Sequence, residues 1–319
     1  MDLDLTQVRA FVAAAEQLHF GRAAAQLFLT QQALSKRISR LERALGEQLF
    51  VRSARGVELS DAGRRFLPHA RQLLAAADAA AFAAHPGSWP LRIDVWGQVQ
   101  APLRMVRRLL STTPGLAIEP SMRRSLPAAL EAIGRGEIDA CFGRPHDLAK
   151  PWPNGLSRRP VLLERLAVAV GAGHPLGGAA ALTAADLAGL SFSLPASGTS
   201  AEVHGWARRF ADDFGLPLDA SGHNLGQEHA LDQLKAGPRR FILLGTDWPV
   251  PAGAGVCLIP LTPVPCFLWS LIWPQDNQHP LLAQLVELAV KAAHTEGWLA
   301  YDPHHDWLPS TDRTDLPDA

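Results

Sequence analysis

Residues 30–46 read TQQALSKRISRLERALG, and their spacing predicts an amphipathic helix. Four apolar side chains fall on one arc of a helical projection: Leu34, Ile38, Leu41 and Leu45. Thr30 can accept a hydrogen bond from an amide of the first turn, and Gly46 suits the left-handed position that ends a helix. The opposite face is polar and basic. The stretch is therefore either a solvated surface helix or a helix that contacts DNA.

The residues on either side extend this helix to a larger pattern. An apolar stripe in residues 5–15 predicts a first helix, and GRAAAQLF predicts a second, with Gly21 as its N-cap. QLFVRSARGVELS predicts two short strands, 48–52 and 57–59, joined by a tight turn. Three helices followed by a basic hairpin are typical of a winged helix-turn-helix.

A long helix is predicted next, from Asp61 to about Ala84, with Ser60 as its N-cap. Its apolar residues recur every three or four positions and form a dimerisation stripe: Phe66, Ala70, Leu73, Ala77 and Ala81. A dimer through this stripe would carry two DNA-binding heads to an interrupted palindrome. The alternative is that the stripe packs on its own domain.

From Leu91 the pattern changes to alternating strands and helices, which predicts an α/β domain with a mainly parallel sheet. The tail, residues 301–319, is acidic and contains proline, which predicts disorder. The expected division is a winged helix-turn-helix domain at 1–60, a linker and dimerisation helix with its hinge at 61–90, and an effector domain at 91–300. Within the effector domain, residues 91–161 with 267–300 form one predicted subdomain and residues 162–266 the other.

Composition limits the class of protein. The chain has 319 residues and a formal net charge of −1, which excludes a protein that is basic throughout. Cys141, Cys257 and Cys266 are too few for a disulfide framework and fit a cytoplasmic location. The N-terminus lacks the basic segment of a secretory signal, and no apolar run is long enough to span a bilayer. We expect no catalytic residues, metal site, cofactor or membrane partner.

Residues 3–75 resemble the DNA-binding half of the LysR-type transcriptional regulators. The matching elements are Phe11, Phe20, Ala23-Ala24, Gln31, Ala33-Leu34-Ser35, Ile38, Leu41-Glu42, Leu45-Gly46, Leu49-Phe50, Arg52, Leu59 and Ala62-Gly63. The second half is similar more loosely but in the same order: Gly136–Asp139, Gly173–Leu176 and Asp186–Gly189. The resemblance covers the chain to about Trp298. It implies an N-terminal winged helix-turn-helix, a long linker helix and a two-subdomain effector domain like that of periplasmic binding proteins.

Two departures from the family pattern stand out. Gly21 replaces the usual serine or threonine cap of the second helix, and residues 237–248 lack the usual glycine pattern before a strand end.

The DNA-contacting side chains follow from the place of the recognition helix. Its N-terminal residues would enter the major groove, where glutamine can pair with adenine. Residues 30–55 hold six basic and two acidic side chains, a local net charge of +4 that suits phosphates. The predicted set is Thr30, Gln31, Gln32, Ser35, Lys36, Arg37, Arg40, Arg43, Arg52 and Arg55.

An effector is expected in the crevice beyond the carboxyl ends of the strands. The residues that follow those strand ends are Trp96, Gln98, Gln100, Ser125, Arg144, Ser197, Thr199, Asn224, Thr246 and Trp248. For each of them alone, a loop or packing role is an open alternative.

The favoured function is a DNA-binding transcriptional regulator whose activity a small molecule controls. Its expected partners are double-stranded DNA, an effector of unidentified chemistry, further copies of the chain in a dimer or tetramer, and RNA polymerase. The alternatives are a cytoplasmic small-molecule-binding protein without a gene-regulatory role and a regulator that senses redox state through its thiols.

Overall fold

A computed structural model describes residues 3–27, 29–53, 56–83, 90–195, 198–237, 239–248, 250 and 253–317. The side chains at positions 52, 53, 56, 72, 75, 76, 78–83 and 227 are outside that description. The chain forms two compact units that divide between residues 83 and 90. No helix in the described part of the chain is long and apolar enough to cross a membrane.

The first unit contains a three-helix head, a hairpin and a long helix. Its elements are α1 (Leu5–Gln17), α2 (Phe20–Gln26), α3 (Gln31–Leu45), β1 (Phe50–Ser53), β2 (Gly56–Leu59) and α4 (Asp61–Ala83). β1 and β2 pair antiparallel, with Phe50 opposite Leu59. The winged helix-turn-helix is therefore formed as predicted, with the strands shifted by one or two residues.

The helix ends follow from their capping side chains. Thr30 Oγ1 accepts from the amide of Ala33 at 3.2 Å, and Gly46 ends α3 with φ 73°, as predicted. The predicted cap of α2 was wrong. His19 occupies the N-cap and its Nδ1 accepts from the amide of Arg22 at 3.2 Å, whereas Gly21 lies inside the first turn.

The second unit carries the strands and helices of the α/β half. Its strands are β3 (Leu91–Asp94), β4 (Ile118–Ser121), β5 (Ala140–Gly143), β6 (Leu156–Gly171), β7 (Leu182–Thr183), β8 (Ser191–Ser193), β9 (Leu218–Asp219), β10 (Arg240–Gly245), β11 (Val256–Ile259), β12 (Leu261–Thr262), β13 (Val264–Pro274) and β14 (Asp306–Trp307). Its α-helices are α5 (Ala101–Thr112), α6 (Leu126–Gly134), α7 (Ala201–Phe214), α8 (Gln227–Ala236), α9 (Pro280–Thr295) and α10 (Ser310–Arg313).

One sheet joins the two halves of this unit, in the order β4-β3-β5-β13-β6-β10-β8-β9. The first subdomain is built on β3, β4 and β5 with α5 and α6, and the second on β8 to β11 with α7 and α8. The outer strands pair in parallel, as predicted. The two long central strands, β6 and β13, pair antiparallel with each other and pass from one subdomain to the other.

The predicted disorder of residues 301–319 was wrong for residues 301–317. β14 pairs in parallel with β13, and α10 follows it. Leu308 is fully buried with Leu163, Cys266 and Leu268. Burial of this apolar side chain offsets the entropy of ordering the tail, which its polar composition alone would not predict.

Candidate DNA interface and effector site

The face of α3 that is turned away from the core is polar. Leu34, Ile38 and Leu41 are buried at 2% exposure or less, so they fix the rotation of the helix about its axis. On the opposite face Gln31 and Gln32 are exposed at the N-terminal end, and Ser35 is half-buried beside them. The predicted base-reading residues therefore lie together on one surface of the first unit.

Basic side chains continue this surface toward the end of α3. Lys36, Arg40 and Arg43 are exposed, and Arg37 is half-buried. Among the described residues neither Lys36 nor Arg40 has a carboxylate within ion-pair distance. Arg52 belongs to β1 with its side chain outside the described set, and Arg55 lies outside the described residues altogether. Of the charges predicted to meet phosphates, those on α3 lie within the described residues, and the two hairpin side chains do not.

Glu42 ties the hairpin to α3. Its Oε1 accepts from the amides of Leu49 at 2.8 Å and Phe50 at 3.3 Å, so it holds the start of β1. Gly63 permits a second close approach, because a Cβ there would overlap the carbonyl oxygen of Leu49. This contact between Glu42 and the hairpin was not predicted from the sequence.

Part of the predicted dimerisation stripe on α4 packs against its own unit. Ala70 is fully buried, the ring of Phe66 lies 5.3 Å from that of Phe11, and Leu73 is half-buried against the same cluster. Ala70 is therefore not open to a partner, because the three-helix head needs a cover for its apolar side. Phe66 and Leu73 are only half-buried, and their partner contacts stay predictions. Ala77 is half-buried, and the side chain of Ala81 is outside the described set.

In the second unit, a buried carboxylate lies at the start of α5. Glu164 Oε1 accepts from Arg104 Nη2 at 3.1 Å, and its Oε2 accepts from Trp269 Nε1 at 2.8 Å. The amide of Ala101 also donates to it, which replaces the side-chain cap that Gln100 does not provide. Burial raises the pKa of Glu164, against the lowering effect of Arg104. The N-terminus of α5 is therefore occupied by the protein's own negative charge.

A second buried carboxylate joins the two subdomains. Glu202, in the first turn of α7, accepts from the amide of Leu126 at the start of α6 with its Oε1 at 2.7 Å. Its carbonyl oxygen accepts from Arg144 Nη1 at 3.1 Å. Arg124 donates its amide to the carbonyl of Trp96 at 2.9 Å. The end of β3 therefore lies next to the segment before α6, and the start of α6 lies next to the start of α7.

Several predicted effector residues carry buried polar atoms that have no hydrogen-bond partner within the described part of the chain. These atoms are Trp96 Nε1, Gln100 Oε1 and Thr199 Oγ1, with Ser200 Oγ and Glu202 Oε2 close to them in the chain. Trp96 has a φ of 67° and packs edge-on against Trp269 at 5.8 Å. Unpaired buried polar atoms are uncommon and often mark a place where another molecule binds.

The remaining predicted effector residues lie in different surroundings. Gln98 and Thr246 are exposed, and Ser125 is half-buried with its Oγ accepting from the amide of Ala128 at 3.4 Å. Asn224 lines a separate cavity of about 360 Å³ in the second subdomain, with His223, His229 and Arg240. Ser197 lies outside the described residues.

One of the predicted effector contacts does not hold. Arg144 is fully buried and paired with Asp312, so its guanidinium is not open to an effector. The sequence identified Arg144 correctly as a strand-end residue, but the position in sequence does not determine which way the side chain packs. Trp248 packs against Leu231, Leu234 and Leu244, and its Nε1 is also buried without a hydrogen-bond partner among the described residues, so its effector contact stays a prediction.

The residues that the prediction missed are mostly carboxylates. Glu164, Glu202, Asp147 and Asp312 all bind buried partners near the crevice. Glu164 carried a signal, since a charge inside the apolar run LERLAVAV needs a partner when it is buried.

Cys141 and Cys266 are poor nucleophiles at neutral pH. Burial raises the pKa of Cys141 well above its usual value and that of Cys266 to about 12. Cys257 is half-buried. Reactive cysteines require the opposite shift, so the geometry of Cys141 and Cys266 does not favour redox sensing.

Comparison with known proteins gives two family matches. Residues 5–64 match the bacterial regulatory helix-turn-helix proteins of the lysR family, and residues 99–294 match the LysR substrate binding domain. Residues 295–319 lie beyond both matches.

Individual proteins agree with these matches. The chain is 30% identical over 295 residues to the HTH-type transcriptional regulator IlvR of Caulobacter vibrioides. That alignment covers 91% of this chain and 98% of IlvR. A full-length OxyR variant of Pseudomonas aeruginosa has the same fold with a TM-score of 0.62, at 21% identity over 92% of this chain and 95% of that one. Full-length CbnR complexed with its target DNA superposes with a TM-score of 0.51, at 23% identity over 91% of this chain and all of that one.

Proposed function

Because the chain belongs to the LysR family of bacterial DNA-binding transcriptional regulators, we propose that it reads DNA through the N-terminal end of α3. The observation that carries this proposal is the division of α3 into two faces. Leu34, Ile38 and Leu41 hold the helix in the head, and Gln31 and Gln32 are exposed where a recognition helix contacts base edges.

Ser35 and Lys36 would reach further base edges, and Arg37, Arg40 and Arg43 would meet phosphates. The hairpin arginines Arg52 and Arg55 would add phosphate contacts on the far side of the groove. Thr30, as the helix cap, would position the first turn against the DNA backbone.

A gel-shift and footprint on the DNA upstream of the protein's own coding region tests the proposal. Gln31→Ala should relax the preference at one base pair, costing about 1–3 kcal/mol of discrimination. Arg40→Ala should weaken binding to all sequences alike and reduce the slope of log affinity against log salt by about 1. Arg108→Ala, which removes the same charge from α5, should change neither.

Failure to find salt-sensitive, sequence-preferring protection would refute α3 as the reading helix. Equal effects of Arg40→Ala and Arg108→Ala would instead show that only the net charge matters.

We also propose that a small-molecule effector binds between the two subdomains, near Trp96, Gln100 and Thr199. Their unpaired buried atoms offer a donor, an acceptor and a hydroxyl in a region where both subdomains meet. An effector that binds one arrangement of the subdomains better than another would shift the population of DNA-binding states.

A thermal-shift screen of small metabolites tests this second proposal. Thr199→Ala should remove the shift that a hit produces, and Thr295→Ala, at an exposed position at the end of α9, should retain it. A hit whose shift survives in both Thr199→Ala and Gln100→Ala would contradict the proposed location.

The assembly is proposed as a dimer or tetramer that binds an interrupted palindrome in the cytoplasm and contacts RNA polymerase. α4 remains the candidate interface, through the part that follows Leu73. Family membership argues against a binding protein without a gene-regulatory role, and the raised thiol pKa values argue against redox sensing through Cys141 and Cys266.

A further inference from the structure

The tail forms a C-terminal strap, which we define as residues 301–317, across the second unit. Its first part is fixed to the central strands: Val264 pairs with Asp306, and Leu308 is fully buried against Leu163 and Leu268. This segment lies beyond both family matches.

Further along the strap, Asp312 pairs with a fully buried arginine. Arg144 follows β5 and is 0% exposed, and its Nε and Nη2 donate to Asp312 Oδ1 at 2.6 Å and Oδ2 at 2.7 Å. Asp312 is itself 0% exposed. Two parallel N–H···O bonds between a guanidinium and a carboxylate form the strongest and most specific arrangement of this ion pair.

The third nitrogen of Arg144 binds other groups. Its Nη1 donates to Asp147 Oδ2 at 2.8 Å and to the carbonyl of Glu202 at 3.1 Å. Among the described residues, only Asp312 accepts from Nε and Nη2. Without that carboxylate, a buried guanidinium edge would be left unpaired, which is strongly unfavourable.

The strap also binds both subdomains. Trp307 Nε1 donates to Asp213 of α7 at 2.9 Å, and its ring lies 5.3 Å from Trp206 on the same helix. At the other end, Asp315 contacts His146 Nε2 at 2.7 Å and Arg158 Nη2 at 2.9 Å in the first subdomain.

Directly beneath the strap, α7 and the loop after β5 approach so closely that a Cβ on Gly205 would overlap Asp147. Arg209 of α7 donates to Asp147 Oδ1 at 2.7 Å. The strap therefore covers a seam between the subdomains.

We propose that the strap is a tethered carboxylate ligand: Asp312 occupies a built carboxylate site at Arg144 and closes the seam between α7 and the loop at residues 143–147. The tether keeps the effective concentration of this carboxylate high, so a free carboxylate enters only when Asp312 is absent or withdrawn. The chemical class that the site accepts is a small planar carboxylate, because Nε and Nη2 present two parallel donors.

Chemical rescue tests the site. Asp312→Ala should lower the Tm of the second unit, and about 100 mM sodium acetate should raise the Tm of this variant by about 2–4 °C over sodium chloride of equal ionic strength. The wild type and Asp302→Ala should show no such acetate-specific rise. Asp302 is the matched control, since it lies in the same strap but is 53% exposed and pairs only with exposed His305 among the charged groups.

An Asp312→Ala variant as stable as the wild type, or one that acetate does not stabilise specifically, would overturn the proposal. If that variant does not fold, Asp312→Asn keeps the shape and one acceptor oxygen. Hydrogen exchange of this second variant should be faster in residues 143–147 and α7 and unchanged in α8. Unchanged exchange at the seam would also overturn the proposal.

Discussion

Single carboxylates hold the starts of neighbouring elements in both units. Glu42 binds the amides of Leu49 and Phe50 at the start of β1, and Glu202 binds the amide of Leu126 at the start of α6. An amide at the start of a helix or strand has no partner within its own element, so a carboxylate from elsewhere satisfies it. The position of one helix or strand therefore depends on a single side chain that belongs to a different element.

Glu42 provides a direct test in the first unit. Glu42→Ala leaves the amides of Leu49 and Phe50 without their partner, so we expect a loss of about 1–3 kcal/mol in the free energy of unfolding. Glu47→Ala removes the same charge from an exposed position and should stay within about 0.5 kcal/mol of the wild type. Thermal and denaturant unfolding measure both. Equal losses would mean that charge, not the hydrogen bonds, is responsible.

Asp147 predicts a pH dependence. Hydrogen bonds from Arg209 and then Arg144 lower its pKa from 3.8 to about 2. Because the folded-state pKa is the lower one, ionised Asp147 stabilises the fold above about pH 3.8, and this contribution is lost as the pH falls toward 2. Asp147→Asn should therefore have a lower Tm at pH 6, with a gap to the wild type that narrows between pH 4 and pH 2.

The control for this prediction is Asp212→Asn, on the exposed side of α7. Its Tm difference from the wild type should be small across the same pH range. A gap for Asp147→Asn that is constant with pH would contradict a role for its ionisation.

At the scale of elements, α4 serves two purposes along its length. Its first turns, with Phe66 and Ala70, complete the core of the three-helix head. Leu74 still packs against this core, and most side chains after it are outside the described set. Ala77 lies on the same stripe as the buried residues, and we propose that this later part of the helix is the face for a partner.

A charge at Ala77 tests the partner face. Ala77→Glu should shift the protein from dimer to monomer in sedimentation velocity, because an interface between small apolar side chains does not accommodate a carboxylate. His69→Glu, at an exposed position of the same helix, should leave the dimer intact. A dimer that persists in Ala77→Glu would place the interface elsewhere.

At the scale of the whole molecule, the two units have separate cores. Leu41 belongs to a cluster of the first unit with Phe11 and Leu49, and Leu268 to a cluster of the second with Leu163 and Leu308. Since no buried cluster of the described residues is shared, each unit is expected to unfold as its own cooperative transition.

Calorimetry of paired variants tests this independence. Leu41→Ala and Leu268→Ala each remove a fully buried side chain, which costs about 2–5 kcal/mol. Each variant should lower the midpoint of one transition and leave the other unchanged. A single transition that both variants lower would show that the units unfold together.

Features of the fold could be predicted from the sequence where they depend on residues close together in the chain, and could not where they depend on distant ones. α3 lies between its predicted cap at Thr30 and its predicted end at Gly46, since periodicity and capping act within a few residues. The first half of β6 was not predicted. Its residues LSRRPVL do not read as a strand, and pairing with β13 more than a hundred residues away holds them extended.

The sequence by itself determined the winged helix-turn-helix, the rotation of α3 that exposes Gln31 and Gln32, and the α/β character of the second unit. Each of these follows from local spacing of apolar and capping residues. Only the tertiary structure decided that Arg144 faces Asp312 and not an effector, that Ala70 is buried in its own head, and that the tail is ordered. Those outcomes depend on pairs of side chains brought together from distant parts of the chain, and burial makes each such pairing decisive.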